Sequence, residues 1–378
     1  MLLMALDHVR DFFHVGAMSF SPEDLTRTTP ILFLTRFVTH FCAPAFLFLA
    51  GVGAFLRLQR AGSSRAQLSR FLWTRGLWLV FVELTLMRLA MTFELSFPAL
   101  LLVLWALGIS MVAMAVLVRL PSRALAVASG AVIVLHNLLD PLQPSAFGAF
   151  AGLWNLLHQP GLVVVAGVPL AVVGYPLVPW VAVMAAGYCS GSLFLREPAE
   201  RRRILLASGT AMVVAFLLLR ASNLYGDPVP WSAGPKATLT VLSFLRVTKY
   251  PPSLCFLLVT LGPALLALAC LERFKLHAGH PLVVIGRVPL FYYVVHFWAI
   301  HLLASLMAWL RYGNASLGFI FRPLPSMGGP RELFPADFGY SLGIVYLVWI
   351  GIVALLFPLC RWFAGVKARR SDWWLSYL

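Results

Sequence analysis

Asp7, Arg10, Asp11 and His14 stand at i, i+3, i+4 and i+7 near the start of the chain. At 3.6 residues per turn this spacing puts all four on one helical face. His8 lies beside them, three residues before Asp11. Arg36 and His40 are four apart and share a face of a second apolar run; Glu83 and Arg88 fall in a third. A later run carries His296 and His301, with Tyr292 and Tyr293 one turn ahead of His296. A carboxylate beside an imidazole orients the ring and stabilises its protonated form, which suits general-base work or acyl transfer. A proton-coupled small-molecule transporter uses the same residue types, and periodicity does not separate the two.

The segments that must position these groups are apolar. Of 378 residues, 61% are hydrophobic and 11% charged, and mean hydropathy is +0.87. A water-soluble domain carries about 25% charged residues, so most of this surface must face lipid. The expected fold is an all-α polytopic membrane protein, a bundle of about ten transmembrane helices. The runs are Met1 to about Phe20, then about 30–57, 70–93, 97–118, 122–139, 175–195, 202–222, 252–272, 282–309 and 340–364. The first run is short, reads as the second half of a spanning helix, and is expected to be truncated at its N-terminus. No soluble module or short repeat interrupts 1–378, which is read as a single transmembrane domain.

The net charge of +15 is a topological signal. Eighteen Lys and Arg fall in links after even-numbered runs and in the tail, and eight in the opposite links. By the positive-inside rule both termini are cytoplasmic, in a bacterial inner membrane. This placement excludes nucleic acid as a partner and makes the lipid bilayer one. The long links 140–174, 223–251 and 310–339 then lie outside. Residues 145–160 could form an interfacial helix anchored by Trp154, or simply pack over the bundle mouth. Under this topology Asp7, His14, Arg36, His40 and His296 share the outer half of the membrane. Ionisable groups at that depth usually face a bundle interior or a wet cavity, so one polar chamber is expected, although any one of them could serve only to staple helices.

Other features refine the expectation. Pro44 should kink the second run just inside His40, and Gly51-Val52-Gly53 permits close helix packing. Prolines at Tyr250-Pro251-Pro252 lead into the eighth run, whose first N–H groups could attract an anion beside Lys249. Gly286-Arg287-Val288-Pro289 should interrupt the ninth run. The five cysteines, Cys42, Cys189, Cys255, Cys270 and Cys360, show no metal-type spacing, and no metal is expected. No phosphate-binding loop, dinucleotide fingerprint or nucleophile elbow is present.

Several stretches together resemble the catalytic-domain family of heparan-α-glucosaminide N-acetyltransferases. They are Met4–Phe13, Phe41–Gly51, Val247–Ser253, Gly286–Tyr293 and the tail Arg369–Leu378. The resemblance implies a multi-pass acyltransferase that takes an acetyl or other acyl group from cytoplasmic acyl-CoA. It would place that group on the amine or hydroxyl of a carbohydrate-type acceptor at the outer face. Asp7 matches a polar active-site asparagine of the animal enzyme, whose histidine position falls here on Met18. The catalytic set is therefore expected among Asp7, His8 and His14. Arg10, Asp11, Arg36, His40, Lys249, Tyr250, Tyr292 and His296 would line the cavity, and Arg287 would contact the donor. Acyl-CoA is expected as co-substrate, and a homodimer is left open.

Overall fold

The computed structural model describes residues 1–60, 62–95 and 98–377. Phe97, the first residue of the fourth predicted run, and Leu378, the last of the tail motif, lie outside the described residues. In chain order the helices begin with α1 (Leu2–Phe13), α2 (Pro30–Thr39), α3 (Cys42–Leu58), α4 (Arg65–Val82) and α5 (Arg88–Thr92). Strand β1 (Ala99–Leu101) precedes α6 (Val103–Leu117), α7 (Ser122–Leu135) and α8 (Ala151–Leu157). Strands β2 (Gly161–Val165) and β3 (Val168–Val173) lead to α9 (Val178–Ser190), α10 (Pro198–Ser222), α11 (Ala237–Leu245) and α12 (Leu254–Leu271). The chain ends with α13 (Pro281–Arg287), α14 (Pro289–Tyr312) and α15 (Leu342–Arg369).

Among the described residues, seven helical stretches are long and apolar enough to cross a membrane. They are Pro30–Leu58, Ser122–Leu139, Val178–Leu195, Pro198–Ser222, Leu254–Leu271, Pro289–Gly318 and Leu342–Arg369. All ten predicted runs contain helix, but three fall outside this set. α1 has 12 residues and α6 has 15. α4 carries Arg65, Arg70 and Arg75 and passes into a π-helical turn at Glu83–Met87.

The breaks follow from proline. Pro44 has no N–H to give the His40 carbonyl one turn earlier, and α2 stops at Thr39 while α3 starts at Cys42. The expected kink is thus a break at His40–Phe41. Pro289 similarly starts α14 after α13 ends at Arg287, as the sequence pattern requires.

The described residues form two compact units. Unit 1 comprises Met1–Cys42, Thr85–Leu95 and Lys275–Leu378; unit 2 comprises Ala43–Leu84 and Ser96–Phe274. In unit 1, α1 packs against α2, α14 and α15. Trp349 Nε1 donates to the Leu2 carbonyl at 2.9 Å, and Thr35 Oγ1 lies 2.6 Å from the Tyr346 hydroxyl. The link before α15 closes over the C-terminal end of α1. Val15 N donates to the Tyr340 carbonyl at 3.0 Å, Tyr340 N to Phe13 at 2.6 Å and Ser326 Oγ to Asp11 at 2.9 Å.

Unit 2 is assembled by backbone approach. A Cβ on Gly51 of α3 would meet the Met184 carbonyl oxygen of α9 at 2.0 Å, and one on Gly187 would meet the Phe48 oxygen at 2.0 Å. Gly76 of α4 and Gly108 of α6 face each other in the same reciprocal way, at 2.5 and 2.6 Å. Gly53 has nothing within 4 Å of such a Cβ, so of the predicted glycine pair only Gly51 makes the close crossing.

The all-α expectation needs one correction. β1, β3 and β2 form a small sheet in that order, β1 parallel and β2 antiparallel to β3. The segment from Gly161 to Val173 is rich in β-branched valine, which fits an extended surface better than a helix. Its turn residues Ala166 and Gly167 both have positive φ, 50° and 79°, the geometry that joins tightly twisted strands. Leu101, Ala171 and Val173 bury one face of the sheet. The stretch around 145–160 divides in two: Pro144–Phe150 forms 3-10 turns broken at Gly148 (φ 52°) and Ala151–Leu157 forms α8. The Trp154 indole N–H donates to the Leu142 carbonyl at 2.8 Å and the ring stacks on Phe147, which is packing within the link.

Gly51→Val should place side-chain atoms on the α9 backbone and cost about 3 kcal/mol or more, at the upper end of overpacking penalties. Gly53→Ala should change stability by no more than about 0.5 kcal/mol. Thermal unfolding of the two variants in the same detergent checks the contrast; equal losses would place the crossing elsewhere.

Candidate active site

The i, i+3, i+4, i+7 face of α1 is the centre of a charged lattice within unit 1. Asp7 is buried at 8% exposure, and its two carboxylate oxygens are fully engaged. Oδ2 accepts from Arg36 Nη1 of α2 at 2.6 Å. Oδ1 accepts from Thr39 Oγ1 at 2.9 Å and lies 2.9 Å from Arg10 Nη2. Arg10, itself 2% exposed, also donates to Asp11 Oδ1 at 2.6 Å. Two carboxylates one turn apart on α1 are thus held by one guanidinium from their own helix and one from α2.

A third carboxylate, which the sequence reading passed over, joins them. Glu23 lies in the link between α1 and α2. Its Oε1 is 2.8 Å from His40 Nε2 and 4.0 Å from Arg36 Nε. The signal was present as an acid in Ser21-Pro22-Glu23-Asp24, next to a run that carries Arg36 and His40. Its approach to the helix interior depends on the path of a loop, which no periodicity records.

His8 points from α1 to α14. Its ring centroid is 5.3 Å from that of His296 and 4.0 Å from Phe297, and its Nδ1 is 4.0 Å from Asp11 Oδ2. Its side chain keeps 20% exposure. His296 is completely buried. Its Nδ1 lies 3.0 Å from the Tyr292 carbonyl one turn earlier, which fixes the proton on that nitrogen. Its Nε2 has no hydrogen-bond partner among the described residues. Tyr292 stacks on the ring at 5.3 Å and 8°. The result is an immobilised imidazole with its lone pair presented beside a second, partly exposed imidazole.

The other predicted residues separate from this pair. His14 caps the 3-10 turn Val15–Met18, accepting from Gly16 N at 3.1 Å, and bridges to Tyr340. That contact occupies its Nδ1 lone pair with a structural task. His301 has Nδ1 2.8 Å from the Ala90 carbonyl and stacks on Phe93 at 3.8 Å, so of the two α14 histidines His296 is the one next to His8. Arg287 is exposed at the end of α13, more than two helical turns before His296.

Lys249 and Tyr250 belong to unit 2. Lys249 is buried, with Nζ 5.1 Å from the Tyr250 ring centre. The expectation that free N–H groups beside it attract an anion is corrected by the contacts there. Ser253 Oγ caps Phe256 N at 3.0 Å, Asn137 Oδ1 takes Leu254 N at 2.9 Å, and the Gly226 carbonyl takes Cys255 N at 2.8 Å. Asp227 holds the same segment, accepting from Thr248 N at 2.8 Å and Ser253 Oγ at 2.7 Å. The helix start is a satisfied joint rather than an open anion site. Asp140 and His158, 2.9 Å apart, were also missed; they lie in a long link where sequence spacing carries little information.

The sequence profile described as heparan-alpha-glucosaminide N-acetyltransferase, catalytic, matches residues 1–224, more than half of the chain. The chain belongs to this family. Curated proteins and solved structures give no significant match. The matched region contains the charged lattice on α1 and α2, and His296 lies beyond it. Membership makes the chain a multi-pass membrane protein of an acetyltransferase family whose donor in general is acetyl-CoA. Among the described residues no cluster of three or more His, Cys, Asp or Glu could hold a metal ion.

If Arg36 neutralises Asp7, Arg36→Ala should lower stability by roughly 3–5 kcal/mol, because it leaves a buried carboxylate short of a cation. Combining it with Asp7→Asn should recover much of that loss. A double-mutant cycle on thermal unfolding reads the coupling, and strictly additive losses would show that the two side chains act independently.

Proposed function

We propose that this chain transfers an acetyl or other acyl group from acyl-CoA to a carbohydrate-type acceptor across a bacterial inner membrane, with both termini in the cytoplasm. The observation that carries this reading is the His8–His296 pair, one ring partly exposed and the other held in a single tautomer with Nε2 unpartnered. Family membership supports the acetyl chemistry, and the arginine distribution supports the orientation. In this reading all ten apolar runs cross the bilayer.

The acceptor's N–H or O–H gives its proton to an imidazole of the pair as its heteroatom attacks the thioester carbonyl carbon. The C–S bond breaks, and the CoA thiolate leaves and takes up a proton. His8 is the group accessible to the acceptor, with Asp11 behind its Nδ1. His296 supplies the second lone pair, either as the base or as a transient acyl carrier. Asp7 is held on both oxygens by Arg36, Thr39 and Arg10, and its task is to hold Arg10 and Arg36 and through them the register of α1. His14 keeps the end of α1 in place. Arg36 and His40 line the polar path, and Arg287 meets the donor phosphates.

Purified protein in liposomes, supplied with labelled acetyl-CoA and a panel of amino sugars and sugar alcohols, tests the reading. Wild type should release CoA in an acceptor-dependent manner. His8→Ala and His296→Ala should each slow transfer by about 100-fold or more, the usual range for removal of a general base, without changing the elution volume of the protein. His14→Ala should lower thermal stability more than turnover. Acceptor uptake driven by a pH gradient, with no CoA release, would instead make the chain a transporter.

A further inference from the structure

Unit 2 contains a cavity of about 370 Å³ that the transfer chemistry does not use. It lies between α3, α7, α9, α10 and α12. Phe48, Val183, Met212, Leu257 and Leu261 give it apolar walls. At one end the lining becomes polar, with Ser190, Ser192 and Arg196. Its lining runs from Ile204 to Met212 on α10 and from Leu257 to Leu265 on α12, roughly 12 Å each at helical rise, and reaches Arg196 beyond the end of α9. One leaflet of bilayer hydrocarbon is about 15 Å deep. The cavity therefore has the length and the one-ended polarity of an alkyl chain with a head group.

The polar end carries a small cationic excess. Arg196, which lines the cavity, Arg201, Arg202 and Arg203 stand near it in sequence with Glu197, Glu200 and Glu272, a net charge of +1, and Arg196 is paired to Glu200 and Arg201 to Glu272 at 2.6 Å. Arg202 stands one turn before the cavity residue Leu205 on the same face of α10. Its Nε is buried and has no hydrogen-bond partner among the described residues. A chain that enters from lipid gains no hydrophobic free energy, since both environments are hydrocarbon. Selection must come from dispersion contacts in a fitted slot and from the guanidinium groups, which favour phosphate.

We propose that this cavity binds the alkyl chain of a phosphate-bearing amphiphile, with the phosphate at Arg196 and Arg202. The proposal does not rest on the transfer reading, because none of the unit 1 residues assigned to that reaction takes part. An anionic phospholipid and a long-chain acyl-CoA share this chemistry.

The test is photo-cross-linking of the full-length protein in mild detergent with diazirine-tailed phosphatidylglycerol and phosphatidylcholine analogues. Label should concentrate on peptides of α9, α10 and α12 that line the cavity. Phosphatidylcholine labelling there should be about tenfold weaker, because its choline cation offsets the phosphate charge and weakens the charge-assisted hydrogen bonds to the arginines. Ser208→Trp, or the milder Ala186→Leu, should block labelling while helical content is retained, and Arg196→Ala with Arg202→Ala should remove the head-group preference. Competition by palmitoyl-CoA but not acetyl-CoA assigns the slot to a long-chain thioester, and absence of competition assigns it to membrane lipid. Label spread evenly over lipid-facing helices, unchanged by filling the cavity, or equal for both head groups overturns the proposal.

Discussion

One buried carboxylate shared by two guanidinium groups sets the geometry of unit 1. Asp7 carries a charge that lipid and packed side chains cannot solvate, so Arg10 and Arg36 must both reach it. Because Arg10 is on α1 itself, the pair with Asp7 fixes which face of α1 is turned inward. Because Arg36 is on α2, the same carboxylate ties that face to a second helix. With the rotation of α1 settled, His8 is directed towards α14 and meets His296. The imidazole pair is a consequence of a charge that needed neutralising one residue earlier.

Unit 2 solves its packing by another route. Its helices meet backbone to backbone at Gly51, Gly187, Gly76 and Gly108, where dispersion between close main chains replaces charge. Its buried carboxylates act as helix and loop caps: Glu83 accepts from Leu104 N at the start of α6, and Asp227 gathers Thr248 and Ser253. A carboxylate at a helix start meets unpaired N–H groups and the positive end of the helix dipole. Charges in unit 1 form one network over α1, the following link and α2, whereas Glu83 and Asp227 in unit 2 cap helix and loop starts. The cavity with an arginine at one end is the feature of unit 2 to which we assign a ligand.

What the sequence disclosed follows the range of the forces involved. The α1 face, the breaks at Pro44 and Pro289 and the apolar runs are set by neighbours within a few residues, and they were legible. Glu23 was not, because a loop brings it to His40. By spacing His14 belonged to the charged face and His8 only lay beside it, yet α1 ends at Phe13 and turns His14 into a cap. Gly51 and Gly53 looked alike, and only a partner helix distinguishes them. The N–H groups at the start of α12 read as open because Asn137 and Gly226 reach them from far along the chain. The valine hairpin was not foreseen, because the link 140–174 was read for its location and for a helix at 145–160 and not for the run of β-branched residues that follows.

The contact on which the account turns is that between positions 8 and 296. A His8→Cys, His296→Cys protein treated in membranes with a short bifunctional thiol cross-linker, then cleaved between the two sites, should keep its fragments joined. Adding Arg36→Ala should weaken that link by releasing the rotation of α1. Fragments that separate as completely as in the single-cysteine controls would show that α1 does not present position 8 to α14, and the proposed imidazole pair would not exist.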